Sequence, residues 1–141
     1  MTSAHANKLR VVLDTNVYFS AFSHPKGPPS RIWRRAVSRS FILLVSRDIL
    51  REIAGVLRED LKWQEPEIVE QLKLIVKVAE IVSPKITLQV IAEDPTDDRP
   101  LECAVAGRAD LIVSGDRHLR ELKHFQEIGI VQPSDFLRTL G

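Results

Sequence analysis

A set of acidic side chains stands where an α/β chain could bring them together. Asp14 directly follows the apolar run LRVVL, and Asp116 lies three residues after the run DLIV. Asp97 and Asp98 open a helical segment just before the second run, and Glu52 flanks the apolar stripe of another helix. A partly buried carboxylate at that flank is costly unless a cation or a donor meets it. These positions predict one site rich in carboxylate oxygen.

The chemistry of such a site is that of a hard divalent ion. No set of His or Cys side chains accompanies the acids, and Mg²⁺ or Mn²⁺ prefers oxygen ligands, with waters completing the octahedron. One or two ions held this way can activate a water and neutralise charge on a phosphodiester as its bond breaks. The pattern therefore favours metal-assisted hydrolysis of a phosphodiester.

Each acid also has a purely structural interpretation. An Asp after a strand is often a turn former or a helix cap, which applies to Asp14, Asp98 and Asp116. Glu52 could instead pair with a lysine or arginine at the rim of its helix. The joint pattern is more specific than any one of these residues.

The elements that must position these acids follow from hydrophobic periodicity. Short buried strands alternate with helical segments, which predicts an α/β fold: a three-layer α/β/α sandwich with a mostly parallel central sheet. Strands are predicted at 9–13, 41–45, 78–82, 86–91, 110–113 and 128–131. Helices are predicted at 16–22, 30–39, 46–58, 66–79, 98–107, 117–124 and 134–140, with Ser30 and Ser46 as the N-caps of the second and third. Ligands of such sheets bind beyond the carboxyl ends of the strands, where the acids stand.

Length and composition set the bounds of the interpretation. The chain has 141 residues, 44% of them hydrophobic and 28% charged, which predicts one globular domain over 9–141 after a flexible tail at 1–8. No apolar run is long enough to span a bilayer, and the first residues lack the apolar region of a signal peptide. The single cysteine, Cys103, excludes an internal disulfide and predicts a reducing, cytoplasmic location.

The charge is unevenly distributed although its net value is only +1. Residues 1–50 hold eight Lys and Arg against two Asp, and the remainder of the chain is acidic. A basic first third and an acidic remainder are compatible with a polyanion and a metal sharing one surface.

Three segments resemble the PIN-domain family, most closely its VapC-like branch of toxin–antitoxin toxins. They are VVLDTNVYFSAF, RDILREIAGVL and DPTDDRPLECAVAGRADLIVSGDRHL, and the likeness runs from about residue 9 to 138. The resemblance implies a metal-dependent nuclease with four acidic residues, which fall on Asp14, Glu52, Asp98 and Asp116. Asp97 is the neighbour that could take the place of Asp98. The auxiliary polar positions of the family fall on Asn16 and Ser114.

The resemblance also implies a function and partners. It implies an endoribonuclease that cleaves single-stranded RNA with Mg²⁺ or Mn²⁺ and acts as the toxin of a type II toxin–antitoxin pair. The implied partners are an antitoxin protein and a second copy of the chain in a homodimer, with no membrane association.

Three other functions remain open at this stage. A receiver-like signalling module is also a small parallel α/β domain that binds Mg²⁺, but it needs an acidic pair after the first strand and a Lys after the last. Here Asp14 is followed by Thr15 and Asn16, and Val131 by Gln132. A catalytically weak RNA-binding scaffold and an RNA-processing nuclease outside any toxin–antitoxin system are the others.

Several remaining charged residues have two interpretations. Arg31, Arg34, Arg35 and Arg39 are predicted to share one polar helix face, which could contact phosphates or simply be solvated. Glu102 could be a fifth carboxylate of the site, but pairing with Arg99 is the simpler explanation.

Overall fold

The fold was obtained as a computed structural model that describes residues 8–85, 87 and 98–141. The strands are β1 (Arg10–Leu13), β2 (Ile42–Ser46), β3 (Glu80–Val82), β4 (Leu111–Val113), β5 (His124–Phe125) and β6 (Ile128–Val131). The helices are α1 (Thr15–Ser23), α2 (Pro28–Val37), α3 (Arg47–Glu59), α4 (Glu65–Val78), α5 (Asp98–Ala106), α6 (Arg117–Leu122) and α7 (Pro133–Leu140). Within the described part of the chain, no helix is both long and apolar enough to cross a bilayer.

The strands form one sheet in the order β3-β2-β1-β4-β6-β5, and each pairing except β5 with β6 is parallel. Val11, Val12 and Leu13 are consecutive residues of β1, yet none is more than 1% exposed. Successive side chains of a strand point to opposite faces, so both faces of the sheet are covered. The predicted α/β fold with a mostly parallel central sheet flanked by helices is confirmed.

Local differences from the predicted elements have simple causes. The second helix begins at Pro28 and is preceded by Gly27, so the prediction of Ser30 as its N-cap was wrong. Proline is well suited to the first turn because its missing N–H has no partner there anyway. The two-residue strand β5 was missed because so short a segment has no readable period. Apart from residue 87, the predicted strand at 86–91 lies outside the described residues.

The order of the strands creates a cleft between β1 and β4. From β1 the chain continues to β2 on one side of the sheet, whereas β4 lies on the other side. This reversal is the topological switch point, where open α/β sheets bind their ligands. The backbone N–H of Asp14 donates to the carbonyl of Val113 at 2.9 Å, so the two strand ends are joined at the cleft.

Two glycines offer a matched test of this packing. A Cβ on Gly107, at the end of α5, would lie 2.9 Å from Val82 and 3.0 Å from Leu44, whereas a Cβ on Gly55 in α3 meets nothing within 4 Å. Gly107→Ala is expected to lower the free energy of unfolding by about 1–3 kcal/mol through overpacking. Gly55→Ala is expected to raise it by about 0.5–1 kcal/mol because alanine favours the helix. Chemical denaturation checks both, and equal effects would contradict the packing at Gly107.

Candidate functional site

Asp14 lies at the centre of the site, at the end of β1, and is 6% exposed. Its Oδ1 accepts the backbone N–H of Thr15 at 2.8 Å, which makes Asp14 the N-cap of α1. Its Oδ2 accepts Asn16 Nδ2 at 3.1 Å and Ser114 Oγ at 2.7 Å. A buried carboxylate is tolerated when donors compensate its lost hydration, and these three fix its orientation.

Ser114 connects Asp14 to Asp116. Ser114 is fully buried, and its Oγ donates to Asp14 while accepting the backbone N–H of Asp116 at 2.9 Å. Asp116 in turn caps α6, because its Oδ1 accepts the backbone N–H of Leu119 at 3.2 Å. The loops after β1 and β4, 100 residues apart in sequence, are thus joined side chain to side chain.

Asn16 adds a second connection between the same loops. While its Nδ2 donates to Asp14, its Oδ1 accepts the backbone N–H of Gly115 at 3.3 Å. The orientation of the Asn16 amide is fixed because its nitrogen donates on one side and its oxygen accepts on the other.

Glu52 joins the network through a residue that sequence reasoning did not single out. Thr15 Oγ1 donates to Glu52 Oε2 at 2.8 Å. Glu52 lies on the flank of α3 because the apolar stripe containing Ile49 and Ile53 is turned into the core. Ser46 starts this helix as predicted, its side chain accepting the backbone N–H of Ile49. In the sequence, Thr15 could have been recognised by its place between Asp14 and Asn16 after the first strand.

Asp98 is the first residue of α5. The helix ends beside the start of β1, where Arg10 Nε donates to the carbonyl of Gly107 at 3.0 Å. Nine residues of helix span about 13 Å, about the rise of β1 from Arg10 to Asp14. A helix that connects parallel strands runs antiparallel to them, so this placement of α5 agrees with the prediction that Asp98 lies near Asp14. Asp98 is 1% exposed, and Asp97 lies outside the described residues.

Known proteins with similar sequence or fold decide the family. A model of the PIN domain matches residues 10–118, which is most of the chain. The chain belongs to the PIN-domain family. The uncharacterized protein MJ1680 of Methanocaldococcus jannaschii is 31% identical over 121 residues, covering 82% of this chain and 76% of the relative.

A solved structure shares the fold of this PIN domain. The crystal structure of VapBC2 from Rickettsia felis, bound to a DNA fragment from the promoter, matches with a TM-score of 0.61 over 88% of this chain and 98% of the other. The sequences are 14% identical, so the likeness concerns the fold. Receiver domains carry the strand order 2-1-3-4-5, which is not the order seen here, and the receiver-like alternative is therefore wrong.

Glu102 is held by an ion pair. Its Oε1 accepts Arg99 Nη1 at 2.9 Å, and Glu102 is 3% exposed. Arg99 follows Asp98 directly and lies on the same turn of α5. The predicted pairing of these two residues is confirmed, which favours Glu102 as a partner of Arg99 over a fifth carboxylate of the site.

The donors of the PIN-domain site suit a divalent ion. PIN-domain nucleases generally use such ions, and the network around Asp14 presents carboxylate, hydroxyl and amide oxygens. Over residues 8–85, 87 and 98–141, no three Asp, Glu, His or Cys side chains form a ready-made metal cluster. Mg²⁺ is usually bound by one or two carboxylates and retains several waters, so Asp14 and Asp116 joined through Ser114 fit this mode.

Asp14→Asn is expected to lower the free energy of unfolding of the metal-free PIN domain by about 1–3 kcal/mol. An amide offers one acceptor oxygen where the carboxylate accepts donors on both, so at least one of Asn16 and Thr15 would face an N–H instead. Denaturation in chelator measures this. Asp116→Asn is the control, because Asn caps a helix as well as Asp does. A more stable Asp14→Asn variant would mean that repulsion among the acids outweighs these hydrogen bonds.

The buried thiol of Cys103 is expected to make the free energy of unfolding fall at alkaline pH. Burial raises the pKa of the Cys103 thiol to about 12, and a hydrogen bond with Ser46 acts in the opposite direction. The unfolded thiol titrates near pH 8.5, so the folded state binds more protons above that pH. Stability is therefore expected to be intact below about pH 8.5 and to fall toward about pH 12. Denaturation at stepped pH checks this, and an identical fall in Cys103→Ala would contradict it.

Proposed function

We propose that this PIN domain is a Mg²⁺- or Mn²⁺-dependent endoribonuclease that cleaves single-stranded RNA. The acids proposed to hold the metal and carry catalysis are Asp14, Glu52, Asp98 and Asp116. The observation that supports this best is the buried Asp14 carboxylate at the switch point, tied to Asp116 through Ser114 and placed beside Glu52 by Thr15.

The roles proposed for the residues follow from their contacts. A divalent ion bound there would supply positive charge opposite the scissile phosphate and acidity to a water. Ser114 and Asn16 hold Asp14 Oδ2 in place, and Thr15 holds Glu52, so little reorganisation of these carboxylates is needed when the substrate arrives. The N-cap role of Asp116 fixes its position at the start of α6.

Cleavage of a mixed RNA pool tests the proposal. The native chain is expected to degrade single-stranded RNA with Mg²⁺ or Mn²⁺ and to leave it intact in excess chelator. Single-stranded DNA of the same sequence and a fully paired RNA are the substrate controls. Cleavage of the DNA alone would overturn the RNA specificity, and full cleavage in chelator would overturn the metal dependence.

We also propose that the chain is the toxin of a toxin–antitoxin pair, as a homodimer neutralised by an antitoxin protein. The shared fold with the VapBC2 structure supports this. Expression of the native chain is expected to arrest bacterial growth, and Asp116→Asn is expected not to. Coexpression of the protein encoded next to it should restore growth. Cleavage of a defined precursor RNA without growth arrest would instead indicate an RNA-processing nuclease.

A further inference from the structure

We propose that the groove between α2 and α7 binds the phosphate backbone of the single-stranded RNA on one side of the cleavage site. This inference rests on the proposed ribonuclease function and adds the path that the substrate takes. It is carried by the direction of the two helices, by the cavities along them and by the charge of the lining residues.

The groove begins at the site. Pro29 in the first turn of α2 and Pro133 at the start of α7 line a cavity of about 230 Å³ together with Asn16 and Gly115. Asn16 and Gly115 belong to the hydrogen-bond network around Asp14. The two helices therefore start next to the proposed catalytic acids.

The far end of the groove is defined by the other ends of the same helices. Arg35, late in α2, donates to the carbonyls of Leu140 and Gly141 at the end of α7. The helices consequently run side by side in the same direction, away from the site. From Pro29 the axis of α2 advances about 3 Å to Arg31 and about 9 Å to Arg35.

The groove is basic beside the later turns of the two helices. A second cavity, of about 470 Å³, is lined by Arg31, Arg34, Arg35, Leu137, Arg138 and Gly141. Four of these six residues are arginines and none has an acidic side chain. Arg31, Arg34 and Arg35 are spaced to share one face of α2, and Arg138 faces them from α7.

The four arginines differ in how many hydrogen bonds and ion pairs their guanidinium groups already make within the protein. Arg35 is anchored on α7, and Arg138 pairs with Asp135. Arg34 uses one nitrogen, Nη1, for Ser30 Oγ and the carbonyl of Pro25, which leaves the other N–H groups of its guanidinium for a ligand. Arg31 is exposed. Arg31 and Arg34 are thus the two guanidinium groups best placed to bind phosphate, which they match with paired N–H donors.

A nucleic acid strand fits this arrangement better than an acidic peptide because the basic groove lies within one helix length of the proposed catalytic acids. A strand whose scissile phosphate lies at Asp14 must carry its neighbouring phosphates away from the acids. The groove offers cationic side chains within one helix length of the site, and three of its four arginines come from the basic first third of the chain.

Binding measurements on an inactive chain test the groove. Asp116→Asn is the background, so that RNA survives in Mg²⁺. Adding Arg31→Gln and Arg34→Gln is expected to weaken binding of a single-stranded RNA about tenfold or more. The slope of log affinity against log salt should fall by about 1.4, or about 0.7 for each phosphate that no longer meets an arginine. The matched control is Lys73→Gln with Arg108→Gln, which removes the same charge elsewhere. It should change neither the RNA affinity nor the salt slope by a comparable amount.

Cleavage by the otherwise native chain gives the second readout. The arginine pair is expected to lower kcat/KM for a long strand and to have a much smaller effect on a dinucleoside monophosphate, whose only phosphate is the scissile one. RNA binding that is equal in the arginine pair and the control pair would overturn the proposal. Binding of polyglutamate through Arg31 without binding of RNA would also overturn the proposal, because it would indicate a protein partner. A native chain that cleaves no RNA would reject the ribonuclease function, while the binding assay would still decide the groove.

Discussion

Asp116→Asn is expected to lower the rate of RNA cleavage by on the order of 10²–10³-fold while the protein stays folded. The side chain caps α6 through Oδ1, and Asn is as good an N-cap as Asp. The substitution therefore removes a negative charge and keeps the local hydrogen bond. A lower rate in this variant would therefore reflect a slower chemical step. Single-turnover cleavage in Mg²⁺ measures the rate of that step.

The same variant separates catalysis from binding. Removing one anion next to a polyanion does not weaken their attraction except through lost metal, so RNA affinity in chelator should be equal or higher. Divalent metal should raise the melting temperature of the native chain more than that of Asp116→Asn. Full activity of Asp116→Asn, or equal metal-induced shifts of the melting temperature in both proteins, would contradict the role of Asp116 in metal binding.

The products of cleavage are expected to carry a 5′-phosphate and a 3′-hydroxyl. The oxygen-rich site around Asp14 suits attack by a water on the phosphorus, with the charge of a metal ion opposite the phosphate. Attack by the RNA's own 2′-hydroxyl would leave a 2′,3′-cyclic phosphate and would normally use an acid–base pair such as two His or a His and a Lys. Mass spectrometry of the fragments distinguishes the two.

A single 2′-deoxy nucleotide placed 5′ of the scissile phosphate supplies the control for this reaction. Such a substrate has no internal nucleophile, yet it should still be cut at a comparable rate if water attacks. An uncut 2′-deoxy substrate together with cyclic phosphate ends would reject the water mechanism even though RNA is degraded.

Much of the local structure could be predicted because it depends on neighbouring residues. The buried runs that became β1, β2, β4 and β6 are short, apolar and bounded by polar residues, which is enough to recognise strands. Ser46 was predicted as a helix cap and is one, because capping is a contact over three residues. The start of α2 was misplaced because Pro28 and Ser30 both favour a helix start and lie two residues apart.

It could be predicted from the order of residues that Asp14 and Asp116 follow strands and therefore belong to one edge of a parallel sheet. That β1 and β4 are neighbours could not be predicted in this way, because apolar strands are chemically alike and their order is set by packing over the whole chain. That neighbourhood lets Ser114 reach Asp14 across 100 residues, whereas the pairing of β1 with β2 lets Thr15 reach Glu52 on the helix that follows β2. The alignment of α2 with α7 is of the same kind, since arginines on one helix form a groove when a second helix lies beside them.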